Sequence, residues 1–238
     1  MKFVQETMVQ TYNLQELWIP EKHHIDPKYR NMPQCNIFMS IEFLRPKPAQ
    51  NKGRKSLVLI QGTGAVRAGI WARSACINES LEVGSMLPFI DKCRDLDIPV
   101  LVMNPNYNED PESGVTVPYN QTMQDHALWV WDKYVKDSGF ENICVVAHSA
   151  GGDCLTQIQK QFPTFYNQVD KIAYTDSWVI DKQDLTEEQQ VFMYRNAVHY
   201  EASDEPVGTR TQEGGFESNT CPVVSAGHPK HEYTTGYA

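Results

Sequence analysis

An apolar run that stops at a serine between small residues constrains this chain more than any other feature. The stretch reads Asn-Ile-Cys-Val-Val-Ala-His-Ser-Ala-Gly-Gly over residues 142–152. The β-branched residues before the serine and the helical spacing after it predict a strand, a sharp turn and then a helix. This is the pattern of the nucleophile elbow, G-x-S-x-G, with Ala147 in place of the first glycine. Ala147 and Gly151 meet the steric demand for small residues on both sides of such a turn.

Ser149 is the residue that this turn would present for chemistry. The helix that follows directs its free N–H groups toward the turn, so negative charge near Ser149 is stabilised. An ordinary Ser/Gly turn after a strand is the alternative interpretation. The strand before it and the helical pattern behind it favour the elbow, and we expect Ser149 to be a nucleophile.

A second glycine-containing turn follows an earlier strand. Residues 56–60, Ser-Leu-Val-Leu-Ile, form a continuous apolar run that leads directly into Gln61-Gly62-Thr63-Gly64. In hydrolases with a nucleophile elbow, a loop at this place supplies the second N–H donor of the oxyanion hole. We therefore expect the oxyanion donors to be the N–H of Ala150 and an N–H of Gly62 or Thr63. A simple phosphate-type or tight βα turn is the alternative, and the lack of a following Lys-Ser/Thr pair argues against a Walker loop.

A serine nucleophile needs a histidine base, and in this type of enzyme the histidine comes last in the chain. Two histidines follow the last predicted strand, His228 and His231. The spacing alone leaves both open as the base.

The base in turn needs an acid that orients it, and three carboxylates compete for this role. Asp204 and Glu205 follow the penultimate strand, where the acid most often lies, and Asp176 ends an earlier strand. Asp204 also has the common acid-x-x-Val spacing with Val207. An Asp-Glu-Pro turn is also typical of a solvated loop, so the sequence does not decide whether Asp204 or Glu205 is the acid. We expect Asp204 or Glu205, rather than Asp176, to contact the base.

Apolar runs alternate with helical patterns through the rest of the chain. This alternation predicts a doubly wound α/β fold with a mainly parallel sheet in a single domain, α/β-hydrolase-like, and without internal repeats. We place the domain at residues 35–238 and interpret residues 1–34 as an N-terminal extension packed on its edge. Residues 66–77 have a helical pattern and are predicted to form a helix after the glycine turn.

Composition excludes several classes of function. The 238 residues carry 21 Lys and Arg against 30 Asp and Glu, a net charge of -9, which argues against direct binding of nucleic acid or of an anionic membrane. No apolar run could span a bilayer, and no signal peptide is recognisable. The six cysteines form no C-x-x-C pair, and His23-His24 is interpreted as a surface pair. We expect no metal, no cofactor and a cytoplasmic or nuclear location.

Residues 61–73, Gln-Gly-Thr-Gly-Ala-Val-Arg-Ala-Gly-Ile-Trp-Ala-Arg, resemble a known signature. It is the H-G-S-G-V-V-R-A-G-x-W-A-R motif of the argonaute-binding (Arb-two) domain family of cotranscriptional regulators. The resemblance covers roughly residue 35 to the C-terminus. It continues at Ile77-Asn78-Glu79, Asn104-Pro105-Asn106, His126-Ala127, Val130-Trp131-Asp132, Val146-Ala147-His148-Ser149, Thr175-Asp176-Ser177, Cys221-Pro222, Val224-Ser225-Ala226-Gly227 and His231-Glu232.

The resemblance implies an α/β-hydrolase fold, with hydrolase activity as an expectation, and a link to argonaute and silencing complexes, chromatin and splicing. By this resemblance, Ser149 matches the nucleophile and His231 matches the base. Relatives have a glutamate at the position of Glu205, whereas they do not share Asp204. Three departures stand out. Gln61 replaces the family's histidine, an insertion of some animal members is absent, and relatives continue into a C-terminal helix that could support the histidine loop.

Two functions follow from these residues. The first is a serine hydrolase that cleaves a small ester, thioester or amide through an acyl-enzyme on Ser149. The alternative is a non-catalytic module that binds protein partners in argonaute, RNA-silencing, chromatin or splicing complexes, through surfaces away from Ser149.

Overall fold

One eight-stranded sheet forms the centre of the protein. The computed structural model describes residues 1–21, 27–29, 31–212 and 219–238, so the predicted His23-His24 pair lies outside the described residues. The strand order is β1-β2-β4-β3-β5-β6-β7-β8. The strands are β1 (Gln15–Ile19), β2 (Cys35–Met39), β3 (Lys55–Ile60), β4 (Val100–Val102), β5 (Asn142–His148), β6 (Val169–Thr175), β7 (Ala197–Glu201) and β8 (Val223–Ser225).

Strands β3 to β8 run parallel to one another, and β1 and β2 add an antiparallel edge beside β4. The mainly parallel sheet predicted from the alternating pattern is thereby confirmed. Helices pack on both faces. They are α1 (Lys2–Gln10), α2 (Ile41–Leu44), α3 (Pro48–Asn51), α4 (Arg73–Asn78), α5 (Leu81–Gly84), α6 (Leu87–Asp95), α7 (Met123–Val130), α8 (Gly151–Gln161), α9 (Phe165–Gln168), α10 (Glu187–Asn196) and α11 (Thr234–Tyr237).

The apolar strands form because both of their faces are buried. In β5, Ile143 and Val145 pack into the larger core with α7 and α8, while Val146 faces a second core beneath α6. Burial of such side chains contributes about 1.5–3 kcal/mol each before the entropy of ordering is counted. The register places Ile60 of β3 beside Ala147 of β5. The turns that follow these two strands therefore leave the sheet side by side.

The stretch before residue 35 contributes α1 and the edge strand β1, which pairs with β2. Val4 and Met8 of α1 are buried and lie beneath Gly69. The boundary between an extension and a domain at residue 35 stays a prediction.

The helix predicted over residues 66–77 is wrong in its first half, since α4 begins only at Arg73. Gly69 has a φ of +94°, which interrupts a right-handed helix. The N–H groups of Trp71 and Ala72 donate to the carbonyl of Gly84 instead of to a preceding helical turn. Tertiary hydrogen bonds therefore override the local helical pattern in this segment.

Asn104 is the centre of a buried polar network at the end of β4. Its Oδ1 accepts from Gln61 Nε2 at 3.2 Å and from the Ala68 N–H at 3.0 Å. Its Nδ2 donates to the carbonyl and the side chain of Asn36, 2.9 and 3.0 Å away. One fully buried side chain thus joins β2, β4 and the loops after β3.

His126 completes this network from α7. Its Nε2 accepts from the Asn104 N–H at 2.9 Å, so Nδ1 carries the proton and faces Asn120 Oδ1 at 2.5 Å. Burial lowers the pKa of His126 to about 3, so its ring is neutral at physiological pH. The histidine therefore acts as a structural hydrogen-bonding group.

Among the described residues, none of the helices has the length and apolar character needed to cross a lipid bilayer.

Replacing Asn104 by alanine should destabilise the fold strongly. The change leaves the Ala68 N–H and the Asn36 carbonyl buried without this partner, and each orphaned group costs about 1–3 kcal/mol. We expect the free energy of unfolding, measured by urea denaturation, to fall by about 3 kcal/mol in total. Asn167→Ala, at an exposed position of α9, is the matched control and should change it by less than about 0.5 kcal/mol. Equal effects of the two variants would contradict a structural role of Asn104.

Candidate active site

Ser149 lies at the tight turn between β5 and α8, which confirms the predicted strand–turn–helix. Its φ is +52°, a left-handed conformation that a residue with a side chain adopts only under constraint. The Ser149 N–H donates to the Thr175 carbonyl at 3.2 Å. The Ser149 carbonyl accepts from the Ser177 hydroxyl at 2.6 Å. Contacts with the last residue of β6 and with the segment that follows it therefore hold the strained turn on both sides.

The small residues around Ser149 are required by close packing. A Cβ on Gly151 would lie 2.6 Å from the Ile60 carbonyl oxygen, and one on Gly152 would lie 2.0 Å from the Trp178 carbonyl oxygen. Real structures do not tolerate such distances, so larger residues here would push the elbow away from β3 and from the loop after β6. The steric reason inferred from the sequence thus applies, and it extends to Gly152.

Gly62 lies directly against Ser149. A Cβ at this position would be 2.6 Å from Ser149 Cβ and 3.2 Å from Ser149 Oγ. The predicted oxyanion loop and the predicted nucleophile are therefore neighbours. Ala150, the residue before α8, is buried. Thr63, the residue after Gly62, is exposed. That the N–H groups of Gly62, Thr63 and Ala150 serve as oxyanion donors stays a prediction.

Two asparagines hold this loop in place from the end of β4. The Asn106 side chain donates to the Gly62 carbonyl, and the Gln61 side chain donates to Asn104 Oδ1. Gln61 is fully buried, and its Oε1 has no hydrogen-bond partner within the described residues. Gln61, which replaces the family's histidine, therefore points into the protein and stabilises the glycine loop through Asn104.

Asp176, and neither Asp204 nor Glu205, contacts His231. The His231 Nδ1 lies 2.6 Å from Asp176 Oδ2. An ionised carboxylate can only accept, so Nδ1 carries the proton and Nε2 keeps a free lone pair, as a base requires. The prediction that Asp204 or Glu205, rather than Asp176, contacts His231 is wrong.

The order of the strands explains why Asp176, and not Asp204 or Glu205, contacts His231. Asp176 directly follows β6, the strand beside β5, so its side chain starts from the position next to the elbow. Its N–H donates to the Tyr200 carbonyl at 2.7 Å, and its Oδ1 accepts from the Ala202 N–H at 3.3 Å. Asp204 and Glu205 follow β7, one strand further away, and are exposed.

Each member of this pair shifts the other toward its charged form. The hydrogen bond from His231 is the main cause that lowers the pKa of Asp176, and the Ala202 N–H adds to it. The hydrogen bond to Asp176 raises the pKa of His231 above its ordinary value of 6.5, against the opposing effect of burial. The pair therefore stabilises the protonated imidazole that forms when a base takes a proton.

The alternative base, His228, has a different environment. Its ring stacks on Tyr233 and packs against Tyr237, with ring centroids 4.6 and 4.8 Å apart. Its Nδ1 accepts from the Lys230 N–H at 3.1 Å. These contacts give His228 a structural role in the C-terminal segment.

His231 lies at the same edge of the sheet as Ser149. Its ring stacks on that of His148, the residue next to Ser149, with centroids 4.9 Å apart. No hydrogen bond joins the Ser149 hydroxyl to His231 in the part of the chain that the structure describes. Catalytic hydrogen bonds are often long without substrate and tighten in the reactive complex. The predicted contact between the two groups stays a prediction.

Three residues around the site were not singled out from the sequence as functional. Ser177 binds the Ser149 carbonyl, and the Ser177 N–H donates to His199 Nε2 at 3.1 Å. His148 is the stacking partner of His231. The shared Thr175-Asp176-Ser177 motif was the available signal for Asp176 and Ser177, whereas His199 had none.

Comparisons with known proteins decide the family. The sequence model of the Arb2 domain matches residues 1–109 and 107–207. The chain belongs to the Arb2 domain family. This confirms the family resemblance seen in the glycine-turn signature of residues 61–73.

Two proteins with similar sequences are consistent with membership of this family. The chain is 29% identical over 258 residues to a cotranscriptional regulator ARB2A homolog of Dictyostelium discoideum, which covers 94% of this chain and 63% of the relative. It is 28% identical over 289 residues to the human cotranscriptional regulator ARB2A, covering 98% of this chain and 65% of the relative. This Arb2 domain chain thus spans slightly less than two thirds of these relatives.

A solved structure supports the fold. A histone deacetylase from Saccharomyces cerevisiae aligns with a TM-score of 0.52 and 14% identity, over 84% of this chain and 77% of the other. At this identity the likeness concerns the fold alone. Together with the elbow and the parallel sheet, it gives the Arb2 domain an α/β-hydrolase fold, as predicted.

Asp176→Asn should lower the pKa of His231 toward 6.5, because the carboxylate is the main cause of its elevation. The measurement is an NMR titration of the histidine ring protons, with His231→Gln to assign the signal. Glu205→Gln and Asp204→Asn are matched controls and should leave this pKa unchanged. A fall in either control, with none in Asp176→Asn, would restore the original assignment of the acid.

Proposed function

We propose that this Arb2 domain is a serine hydrolase that cleaves a small ester, thioester or amide through an acyl-enzyme on Ser149. The observation that carries the proposal is the Asp176–His231 pair, 2.6 Å apart, at the sheet edge where Ser149 occupies a strained turn. Strain of this kind costs of order 1–3 kcal/mol and is typical of functional sites. The fold alone would not support an activity, since α/β-hydrolase scaffolds also serve other functions.

In the first half of the proposed reaction, Ser149 Oγ attacks the substrate carbonyl carbon while His231 Nε2 accepts the hydroxyl proton. Asp176 stabilises the resulting imidazolium through its hydrogen bond to Nδ1. The carbonyl oxygen becomes an oxyanion beside the N–H of Ala150 and an N–H of Gly62 or Thr63. One such donor is worth about 3 kcal/mol in the transition state.

The second half releases the acyl group. His231 gives its proton to the leaving alcohol, thiol or amine as the bond to the carbonyl carbon breaks. Water then attacks the acyl-enzyme while the same imidazole accepts its proton. The proton finally returns to Ser149 Oγ, and the carboxylic acid leaves.

The intact protein should react with a fluorophosphonate probe at Ser149. Ser149→Ala should abolish the labelling, because the probe bonds to an activated serine oxygen. Ser113→Ala is the matched control, since this exposed serine lies in the loop between β4 and α7. Gel fluorescence and mass spectrometry of the labelled peptide measure the result. Unlabelled wild type with a native circular dichroism spectrum, or equal labelling of Ser149→Ala, would contradict the proposal.

A second candidate function is a protein-binding module without catalysis. Relatives named as cotranscriptional regulators favour it, since regulation of transcription needs protein partners. We expect the partners to belong to argonaute, silencing, chromatin or splicing complexes, and the protein to act in the nucleus or cytoplasm. The net charge of -9 supports contact through proteins rather than direct binding of nucleic acid or membrane.

Affinity capture from nuclease-treated cell extract should recover such a complex with the wild type and with Ser149→Ala alike. The reason is that the proposed docking surfaces lie away from the elbow. Quantitative mass spectrometry of the captured proteins gives the comparison. Tight binding of nucleic acid by the isolated protein, with no specific protein recovered, would argue against this function.

A further inference from the structure

We propose that His148 is a positioning residue: a fixed ring on which His231 stacks, so that the base is held beside Ser149. The inference deepens the proposed hydrolase function and rests on it as far as the reaction is concerned. The contacts that define His148, however, are a property of the fold. They make the role measurable without a known substrate.

The ring of His148 is immobilised by hydrogen bonds at one nitrogen. Only 3% of the residue is exposed. Its Nδ1 lies 2.9 Å from the Thr175 carbonyl oxygen, which can only accept, so Nδ1 carries the proton. The hydroxyls of Thr175 and Thr235 lie 3.3 and 3.1 Å from the same nitrogen and 2.6 Å from each other. The ring is thus tied to β6 and to α11 at once.

Trp71 supports the same ring from another side. The two rings meet edge to face, with centroids 6.3 Å apart and an interplanar angle of 73°. Trp71 is buried and packs in turn against Phe89 of α6. Aromatic contacts of this type contribute about 0.5–1.5 kcal/mol beyond burial. Trp71, which belongs to the family signature, therefore stabilises the His148 ring on which His231 stacks.

His231 needs this support because Asp176 holds only one edge of its ring. The His231 side chain is 49% exposed, and a single hydrogen bond at Nδ1 leaves the ring free to pivot. The His148 ring lies 4.9 Å from it at an interplanar angle of 29°, a stacked geometry. The edge contact and the face contact together define the plane of the imidazole and hence the direction of Nε2.

The charge state of His148 suits this role. Burial, together with a smaller contribution from the neighbouring His231, lowers the pKa of His148 to about 4. At neutral pH the ring beneath His231 is therefore uncharged and does not repel an imidazolium above it. The charged groups that act on His231 itself are the carboxylates of Asp176 and Glu232, and both favour its protonation.

The test compares two replacements at position 148 in the full chain. His148→Phe keeps an aromatic ring for stacking, whereas His148→Leu removes it at similar size. We measure the pKa of His231 by NMR titration and the rate of labelling by the fluorophosphonate probe. His148→Leu should lower the pKa of His231 toward 6.5, because a pivoting ring loosens its hydrogen bond to Asp176. It should slow labelling by up to about 100-fold, the loss that misplacement of a reacting group by about 1 Å can cause.

His148→Phe keeps the face for stacking but loses the hydrogen bonds at Nδ1. It should therefore give a pKa of His231 and a labelling rate between those of His148→Leu and the wild type. Phe165→Leu is the matched control, since it changes a buried residue of α9 away from Ser149. It should lower the melting temperature while leaving both readouts unchanged. Partial rescue by phenylalanine, with no effect of Phe165→Leu, separates positioning from general destabilisation.

The outcomes distinguish this inference from the proposed function. If His148→Leu leaves both the pKa of His231 and the labelling rate at wild-type values, the positioning role is overturned. If the wild type is not labelled but His148→Leu still lowers the pKa of His231, the positioning stands and the hydrolase function fails. Should His148→Leu not fold, Thr235→Val replaces it. That variant removes one hydroxyl contact to His148 and should lower the same pKa, and an unchanged pKa would overturn the role.

Discussion

The parallel pairing of β3, β5 and β6 is the constraint on which the rest of the site depends. It aligns the carboxyl ends of three strands, so that Gly62, Ser149 and Asp176 emerge from the sheet as neighbours. Buried apolar side chains on both faces determine this pairing, because a shift by one residue would turn them away from their cores. The strain at Ser149 persists because the surrounding elements are packed too closely for the turn to relax.

The support of the site extends well behind the residues that would touch a substrate. Asn104 and Asn106 hold the glycine loop, and the Ser177 hydroxyl holds the Ser149 carbonyl. Such connected buried hydrogen bonds are costly when partly broken, because each orphaned group loses its solvation without compensation. A scaffold that used the elbow only as a structural turn would need no ion-paired histidine beside it. For this reason hydrolysis is the first of the two candidate functions.

The two functions are compatible in one molecule. The proposed catalytic residues occupy one edge of the sheet, so partner proteins can bind the helical faces without covering them. Relatives named as cotranscriptional regulators share this domain within longer chains, so regulation in those proteins can involve segments beyond the part matched here. A catalytic and a non-catalytic domain within such a complex would differ only in whether Ser149 reacts.

The sequence by itself determined the elements whose signal is local: the elbow, the apolar strands, and the glycine turn beside Ser149. It also placed His231 after the last strand. Tertiary structure decided what depends on residues distant in the chain. Asp176 is the partner of His231 because β6 lies beside β5, whereas the position of Asp204 and Glu205 along the chain favoured the wrong acid. Residues 66–72 left their helical pattern because Gly84 and Asn104 offered hydrogen bonds that no local preference could anticipate. The stacking of His231 on His148 likewise exists only once the chain end packs against the elbow.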